Sequence, residues 1–384
     1  MKGVFVVAGE ASGDILGARL IAALRRRRPA LSFAGIGGPA MAAEGVASPF
    51  PIADLALMGF AEVLPKLPLL RRRMAQAVEA VQAARPAVVV TVDSPGFTLR
   101  LAARLRPLGV PIVHYVAPQV WAWRPGRVPK IARRIDRLLC LLPFEPEMFR
   151  AAGVDARFVG HPVLESGAGE GDADRFATRH GLAADEVPLI VMPGSRAGEI
   201  GRLLPVFGAT LSRLAEAQPR LRPVVPLAPA VAAAVAEAVR GWPGRPILLA
   251  EASEKPDAYA AARARGGVGL IKSGTSSLEV AAGGVPMVVA YRVHPISAAI
   301  ARRLMRVRFA SLVNILAGTE VIPEYLQQAC TPDRLAEGLA SLLSNPAARA
   351  AQIGRFAAVL ATLRPPAGLP SEAAAEAILA LLPG

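Results

Sequence analysis

The chain has 384 residues, 53% of them hydrophobic, and a net charge of +14 at pH 7, enough length for two domains with their own cores. Its two cysteines, Cys140 and Cys330, are far apart and lack metal-ligand spacing, which argues for buried thiols and against a disulfide framework. The excess charge points either to a compositional bias or to an anionic partner, but 5% aromatics and no recognisable nucleic-acid motif argue against nucleic acid.

Apolar runs of strand length alternate with amphipathic helical segments. Strands are expected at 3–8, 31–35, 87–92, 111–116, 137–142 and 156–159, then at 188–192, 222–226, 246–249, 267–271 and 285–290. This alternation predicts an α/β fold with parallel sheets, since parallel neighbours need crossover connections. The two series predict two Rossmann-like domains facing a cleft. Residues 1–165 form the first and 166–345 the second. Helices at 346–384 are expected to return to the first domain. The longest charge-free stretch, 107–123, is broken by Pro111 and Pro118 and cannot span a bilayer as a regular helix. The chain enters a strand at once, with no cleavable signal, so a cytoplasmic location is expected.

Six stretches carry chemistry. "VAGEASGD", residues 7–14, is a strand that turns through glycine into a helix. Its carboxylates, Glu10 and Asp14, would repel a phosphate; they suit sugar hydroxyls or helix capping. "LALMGFAEVLPKLPLLRRRM", 55–74, is interrupted by Pro65 and Pro68. The helix that follows buries Leu70, Met74, Ala77, Val78 and Val81. Leu67 and Leu69 beside Arg71, Arg72 and Arg73 then form either an interfacial membrane contact or a core helix with a basic rim. "TVDSPGF", 91–97, puts Asp93 at a strand end, as a general base or a helix cap. "HYVAPQVWAWRPGRV", 114–128, offers Trp121, Trp123 and Arg124 for a sugar face and a phosphate, or else as a buried aromatic loop.

In the second half, "VMPGSRAGEI", 191–200, and "IKSGTSSLEV", 271–280, are both strand–turn–helix junctions. Gly194, Ser195 and Arg196 in the first, and Ser273, Gly274 and Thr275 in the second, can meet a diphosphate with backbone N–H groups, hydroxyls and a guanidinium, while the first also reads as an ordinary strand-to-helix turn with a serine cap. Glu279 can accept from a ribose diol or cap its helix. No Walker-type loop and no G-x-G-x-x-G follows a strand, and no Asp-x-Asp pair points to a metal-bridged diphosphate. No metal or cofactor is expected.

Taken in order, "AGEASGD", "TVDSPGF", "VAPQVWAWRPGRV", "FVGHPV", "PGSRAGEI", "KSGTSSLEVA", "VNILAG" and "IPEYLQ" resemble the lipid-A-disaccharide synthase family over residues 8 to about 328. The resemblance implies the two-domain glycosyltransferase-B fold. It implies inverting transfer from UDP-2,3-diacylglucosamine to the 6-hydroxyl of 2,3-diacylglucosamine 1-phosphate, giving a β-1,6 disaccharide and UDP without a cofactor. It also implies peripheral attachment to the inner face of the cytoplasmic membrane. Asp93 matches the family's proposed base; Arg196 and Asn314 match residues tied to activity, which places Asn314 with the UDP-binding residues; Glu279 matches the ribose-binding glutamate. Glu10 and Asp14 then face the sugar. The competing readings are another UDP-sugar enzyme of this fold (the peptidoglycan glucosaminyltransferase or a UDP-sugar 2-epimerase) and, from charge alone, a basic RNA-binding protein.

Overall fold

A computed structural model of the chain describes residues 3–55, 67–123, 125–294 and 307–382, without the side chains of Trp123 and Pro125. Among these residues the strands form two six-stranded sheets, parallel at every pairing. The chain divides into two compact units. One comprises Met1–Pro162 with Leu363–Gly384, the other Val163–Thr362.

The first unit holds β1 (Val4–Ala8), β2 (Phe33–Ile36), β3 (Val88–Val92), β4 (Ile112–Tyr115), β5 (Arg137–Cys140) and β6 (Asp155–Phe158), ordered β2-β1-β3-β4-β5-β6. Side chains on a strand alternate between faces. Thus Val4, Val6 and Ala8 of β1 pack with Leu20, Ile21 and Leu24 of the helix Ala11–Arg27. Phe5 and Val7 go to the opposite core, with Met74, Ala77 and Val81 of the helix Leu67–Ala84 and Leu101 and Leu105 of the helix Pro95–Leu105. Both faces of β1 are covered, which is why it reads as an unbroken apolar run.

The second unit holds β7 (Val187–Met192), β8 (Leu221–Pro226), β9 (Ile247–Leu249), β10 (Val268–Lys272), β11 (Met287–Tyr291) and β12 (Glu324–Leu326), ordered β12-β11-β10-β7-β8-β9. The eleven expected strands are present. β12 was not expected: it is three half-buried residues pairing with β11 at one edge of the sheet.

The C-terminal helices part company. The helix Pro346–Thr362 stays with the second unit, where buried Gln352 donates to Met287 and Val321 carbonyls and accepts from Met287 N. Only the helix Pro370–Leu379 packs on the first unit, its Ala374, Ala375 and Ile378 against the Ala11–Arg27 side of the sheet. The break expected at residue 345 therefore falls at Thr362.

In a doubly wound sheet, ligands bind beyond the carboxyl ends of the strands, where the winding direction reverses. In the first sheet the reversal lies between β1 and β3, and in the second between β7 and β10. The turns that leave these four strands are Gly9-Glu10, Asp93-Ser94, Gly194–Arg196 and Ser273–Thr275. Four of the six stretches selected from sequence thus sit at the two reversal points.

Candidate active site

At the first reversal point the two turns touch. A Cβ on Gly9 would lie 2.5 Å from the Ser94 Cβ, so only glycine lets the turn after β1 pack on the turn after β3. Asp93 and Ser94 both have positive φ, 50° and 45°, which non-glycine residues adopt at a cost of about 1–3 kcal/mol each. The strain is held in place from both sides. Asp93 N donates to Tyr115 O of β4 at 2.9 Å, and the Thr98 hydroxyl donates to the carbonyls of Asp93 and Ser94 at 2.7 and 2.9 Å. Ser94, not Asp93, is the N-cap residue of the helix Pro95–Leu105, and Glu10 occupies that position on Ala11–Arg27 without a side-chain capping bond.

Asp14 departs from expectation. It is buried, and its carboxylate accepts Gly38 N at 2.7 Å and Met41 N at 3.0 Å on Oδ1 and Ala40 N at 2.9 Å on Oδ2. It secures the start of the short helix Pro39–Ala43 rather than facing a sugar. Trp121 departs likewise. Its ring is 9% exposed, stands edge-on to Phe144 at 5.1 Å, and its Nε1 donates to Glu145 Oε1 at 3.1 Å. A ring so enclosed cannot stack on a substrate sugar. Glu145 was not singled out from sequence. Burial pushes its carboxyl up to about 7, against the pull of hydrogen bonds from Leu142 N, Trp121 and Leu141 N. His114, on β4 beside Thr91 of β3, is held near 4 by burial; its Nδ1 meets Thr91 Oγ1 at 2.9 Å while its Nε2 has no partner. The Trp123 side chain and Arg124 lie outside the described residues.

The basic triplet separates into two kinds of residue. Arg73 is committed internally: Nε and NH2 reach Asp54 Oδ2 at 2.8 and 2.6 Å, NH1 reaches Gln76, and the guanidinium lies 5.1 Å from the Phe50 ring centre. Arg71 and Arg72 are exposed, and Leu67 and Leu69 are half-buried. The helix runs from Leu67, which puts the triplet in its second turn. The rest of the apolar stretch, 56–66, lies outside the described residues.

At the second reversal point Gly194 has φ 119°, a value that favours glycine, and a Cβ there would lie 2.7 Å from Glu199 Oε2. Arg196 is the N-cap of the helix Ala197–Ala217, with an exposed side chain whose NH1 is 3.4 Å from Glu199 Oε1. Glu199 also accepts Ser195 N at 3.4 Å and Lys272 Nζ at 2.9 Å. Its place three residues into the helix is the capping-box position, a signal that could have singled it out. After β10, Gly274 and Thr275 lead into the helix Ser276–Ala282, and Thr275 is exposed. Ser273 is buried and donates to Ala310 O at 2.8 Å, so its hydroxyl braces the 310–324 segment instead of addressing a ligand.

Asn314 is the centre of that brace and is a further correction. It is fully buried; its amide donates to Ile322 O and Glu324 Oε1 and accepts Val321 N and Ile322 N, all within 2.9 Å. Glu324 in turn accepts Ala310 N and Ser311 N. Asn314 therefore shapes the segment packed on the Ser273 turn and has no group left for UDP. Glu279 is partly exposed, with Oε1 held by Lys255 Nζ at 2.5 Å and Tyr259 OH at 3.2 Å. The sole Asp-x-Asp stretch in the sequence, Asp172–Asp174, starts a helix, with Asp172 accepting Asp174 N and Arg175 N. Among the described residues no three His, Cys, Asp or Glu side chains are grouped to hold a metal, and no helix is long and apolar enough to cross a membrane.

Two doubly wound sheets with glycine turns at their reversal points define the glycosyltransferase-B type of fold. Solved structures agree on the fold: the glycosyltransferase of kitacinnamycin superposes with a TM-score of 0.65 at 18% identity, covering 100% of this chain and 99% of that one. A UDP-N-acetylglucosamine 2-epimerase from Listeria monocytogenes gives 0.63 at 16% identity, over 99% and 95%. Sequence is more specific. The lipid-A-disaccharide synthetase family matches residues 4–378. The lipid-A-disaccharide synthase of Gluconobacter oxydans is 50% identical over 379 residues, 99% of this chain and 90% of that protein. That of Granulibacter bethesdensis is 51% identical over 390 residues, 99% and 98%. The chain belongs to the lipid-A-disaccharide synthase family of glycosyltransferases.

Proposed function

We propose that the chain joins 2,3-diacylglucosamine, taken from its UDP donor, to the 6-hydroxyl of 2,3-diacylglucosamine 1-phosphate, giving the β-1,6 disaccharide and UDP. The observation that carries this reading is full-length membership of the family, with the motif turns at both reversal points. Asp93 takes the proton from the acceptor hydroxyl as its oxygen attacks the anomeric carbon from the face opposite the diphosphate, which inverts that carbon. The bond from the anomeric carbon to the diphosphate breaks, and its electron pair leaves with UDP. Arg196 and the backbone N–H groups of the Gly194 and Gly274 turns stabilise the charge that develops there. Glu279, steadied by Lys255 and Tyr259, accepts the ribose hydroxyls. Glu10 stands at the sugar side of the first turn.

The test is mass spectrometry of products from the two diacyl sugars, run with and without excess EDTA. The disaccharide and UDP should form in equal amounts in both. UDP release without a disaccharide, or a 2-epimer of the donor, would overturn the assignment. Loss of activity in EDTA that Mg²⁺ restores would overturn its metal-independence.

Peripheral attachment to the inner face of the cytoplasmic membrane belongs to the same proposal, with Leu67, Leu69, Arg71 and Arg72 at the surface. Basic residues near an anionic bilayer contribute about 1 kcal/mol each, so Arg71→Gln/Arg72→Gln should weaken vesicle binding roughly 30-fold at low salt. Leu67→Ser/Leu69→Ser should also bind less but keep its salt dependence. Arg73→Gln should instead lower thermal stability, because it uncouples Asp54. Equal sedimentation of all these proteins with anionic vesicles would remove the helix from the membrane contact.

A further inference from the structure

The turns at the second reversal point share a cation that none of the roles above uses. Lys272 is the last residue of β10, the strand between β7 and β11. Its side chain is 17% exposed, and its Nζ is 2.9 Å from Glu199 Oε1, on the helix that follows the Gly194 turn. The same Nζ lies 5.5 Å from the ring centre of Tyr291, at the end of β11, and 3.5 Å from where a Cβ on Gly274 would be. The ammonium therefore stands between the two glycine turns, at the junction of three adjacent strand ends.

Glu199 organises this point. One carboxylate oxygen meets both Lys272 Nζ and Arg196 NH1, and the other takes Ser195 N and abuts Gly194. Two cations share one carboxylate, so the group carries a net positive charge beside two glycine turns. A single carboxylate neutralises only one of the two positive charges. A diphosphate, with at least two charges and several acceptor oxygens, can. Lysine suits the task, being a compact charge on a flexible stem that can turn from one acceptor to another.

We propose that Lys272 is a second diphosphate-binding cation of this protein beside Arg196, and that Glu199 is the positioning residue that holds both. Without a nucleotide, Glu199 is their counter-ion; when the diphosphate arrives, Lys272 shifts its contact to the phosphate oxygens. This rests on the reading of the second unit as the UDP-sugar side.

The experiment measures UDP and uridine binding to the full chain, wild type against Lys272→Met, Lys272→Gln and Lys272→Arg, by calorimetry and competition at two salt concentrations. The neutral variants should bind UDP roughly 10–100-fold more weakly with a shallower salt dependence, a charged hydrogen bond being lost. Their affinity for uridine, which has no phosphate, should be unchanged, and Lys272→Arg should recover part of the UDP affinity. Equal UDP binding by wild type and the neutral variants would overturn the inference alone. Equal loss of UDP and uridine would also overturn it, marking Lys272 as structural. A wild type that binds no UDP would overturn the reading of the second unit itself.

Discussion

Asp93→Asn is expected to lower transfer by roughly 10²–10⁴-fold, the usual contribution of a positioned base, while UDP binding stays near wild type. Each half of that expectation has its own ground. The amide keeps the shape of the carboxylate but cannot take a proton from the acceptor hydroxyl. Asparagine also tolerates the left-handed backbone at this position, φ 50°. Three bonds that hold the turn run through its backbone: Asp93 N to Tyr115 O, and Thr98 Oγ1 to the carbonyls of Asp93 and Ser94. These backbone and Thr98 bonds do not use the carboxylate, so the variant keeps them. The residues assigned to UDP all lie in the other unit. Asp93→Ala is a poorer test, because alanine is less tolerant of positive φ. Turnover of the Asn variant within threefold of wild type, with the protein folded, would remove Asp93 from the role of base.

The strands were legible because side chains on both of their faces are buried, which leaves strands such as Val4–Ala8 and Met287–Tyr291 as apolar runs. The edge strand Glu324–Leu326 carries no such run, since its residues are only half-buried. The reversal-point turns were legible for a related reason: glycine between an apolar run and a helix has few other uses. What each polar residue in those stretches touches was not legible. Asp14 and Glu10 are four residues apart in one turn, yet Asp14 belongs to backbone N–H groups 24 to 27 positions away. Trp121 is claimed by Glu145 and Asn314 by the 321–324 segment. Arg73 differs from Arg71 and Arg72 only in pointing at Asp54. Periodicity fixes which face a side chain shares; it does not say whether a carboxylate or amide will meet a ligand or a distant stretch of backbone. Lys272 and Glu199 lay inside quoted stretches, and their pairing became visible only once β10 was set beside β7.

Asp14 offers the sharpest test of that distinction. Its carboxylate is 3% exposed and takes three backbone N–H groups, two on Oδ1 and one on Oδ2. Hydrogen bonds to a charged group contribute about 1.5–3 kcal/mol each and do not add fully, so Asp14→Ala should destabilise the first unit by about 3–5 kcal/mol. Asp14→Asn should be milder. Its carbonyl oxygen can still accept Gly38 N and Met41 N, but its amino group then confronts Ala40 N, donor against donor. Hydrogen exchange on the full chain can read this directly. Protection of the Gly38, Ala40 and Met41 amides should fall in both variants and further in alanine, and the thermal midpoint should follow the same order. UDP binding by the folded Asn variant should not change, since the donor-side residues are elsewhere. If Asp14 instead met the substrate sugar, Asp14→Asn would lose turnover while the three amides stayed protected and the midpoint stayed put; that result would return Asp14 to the sugar side and refute its structural role.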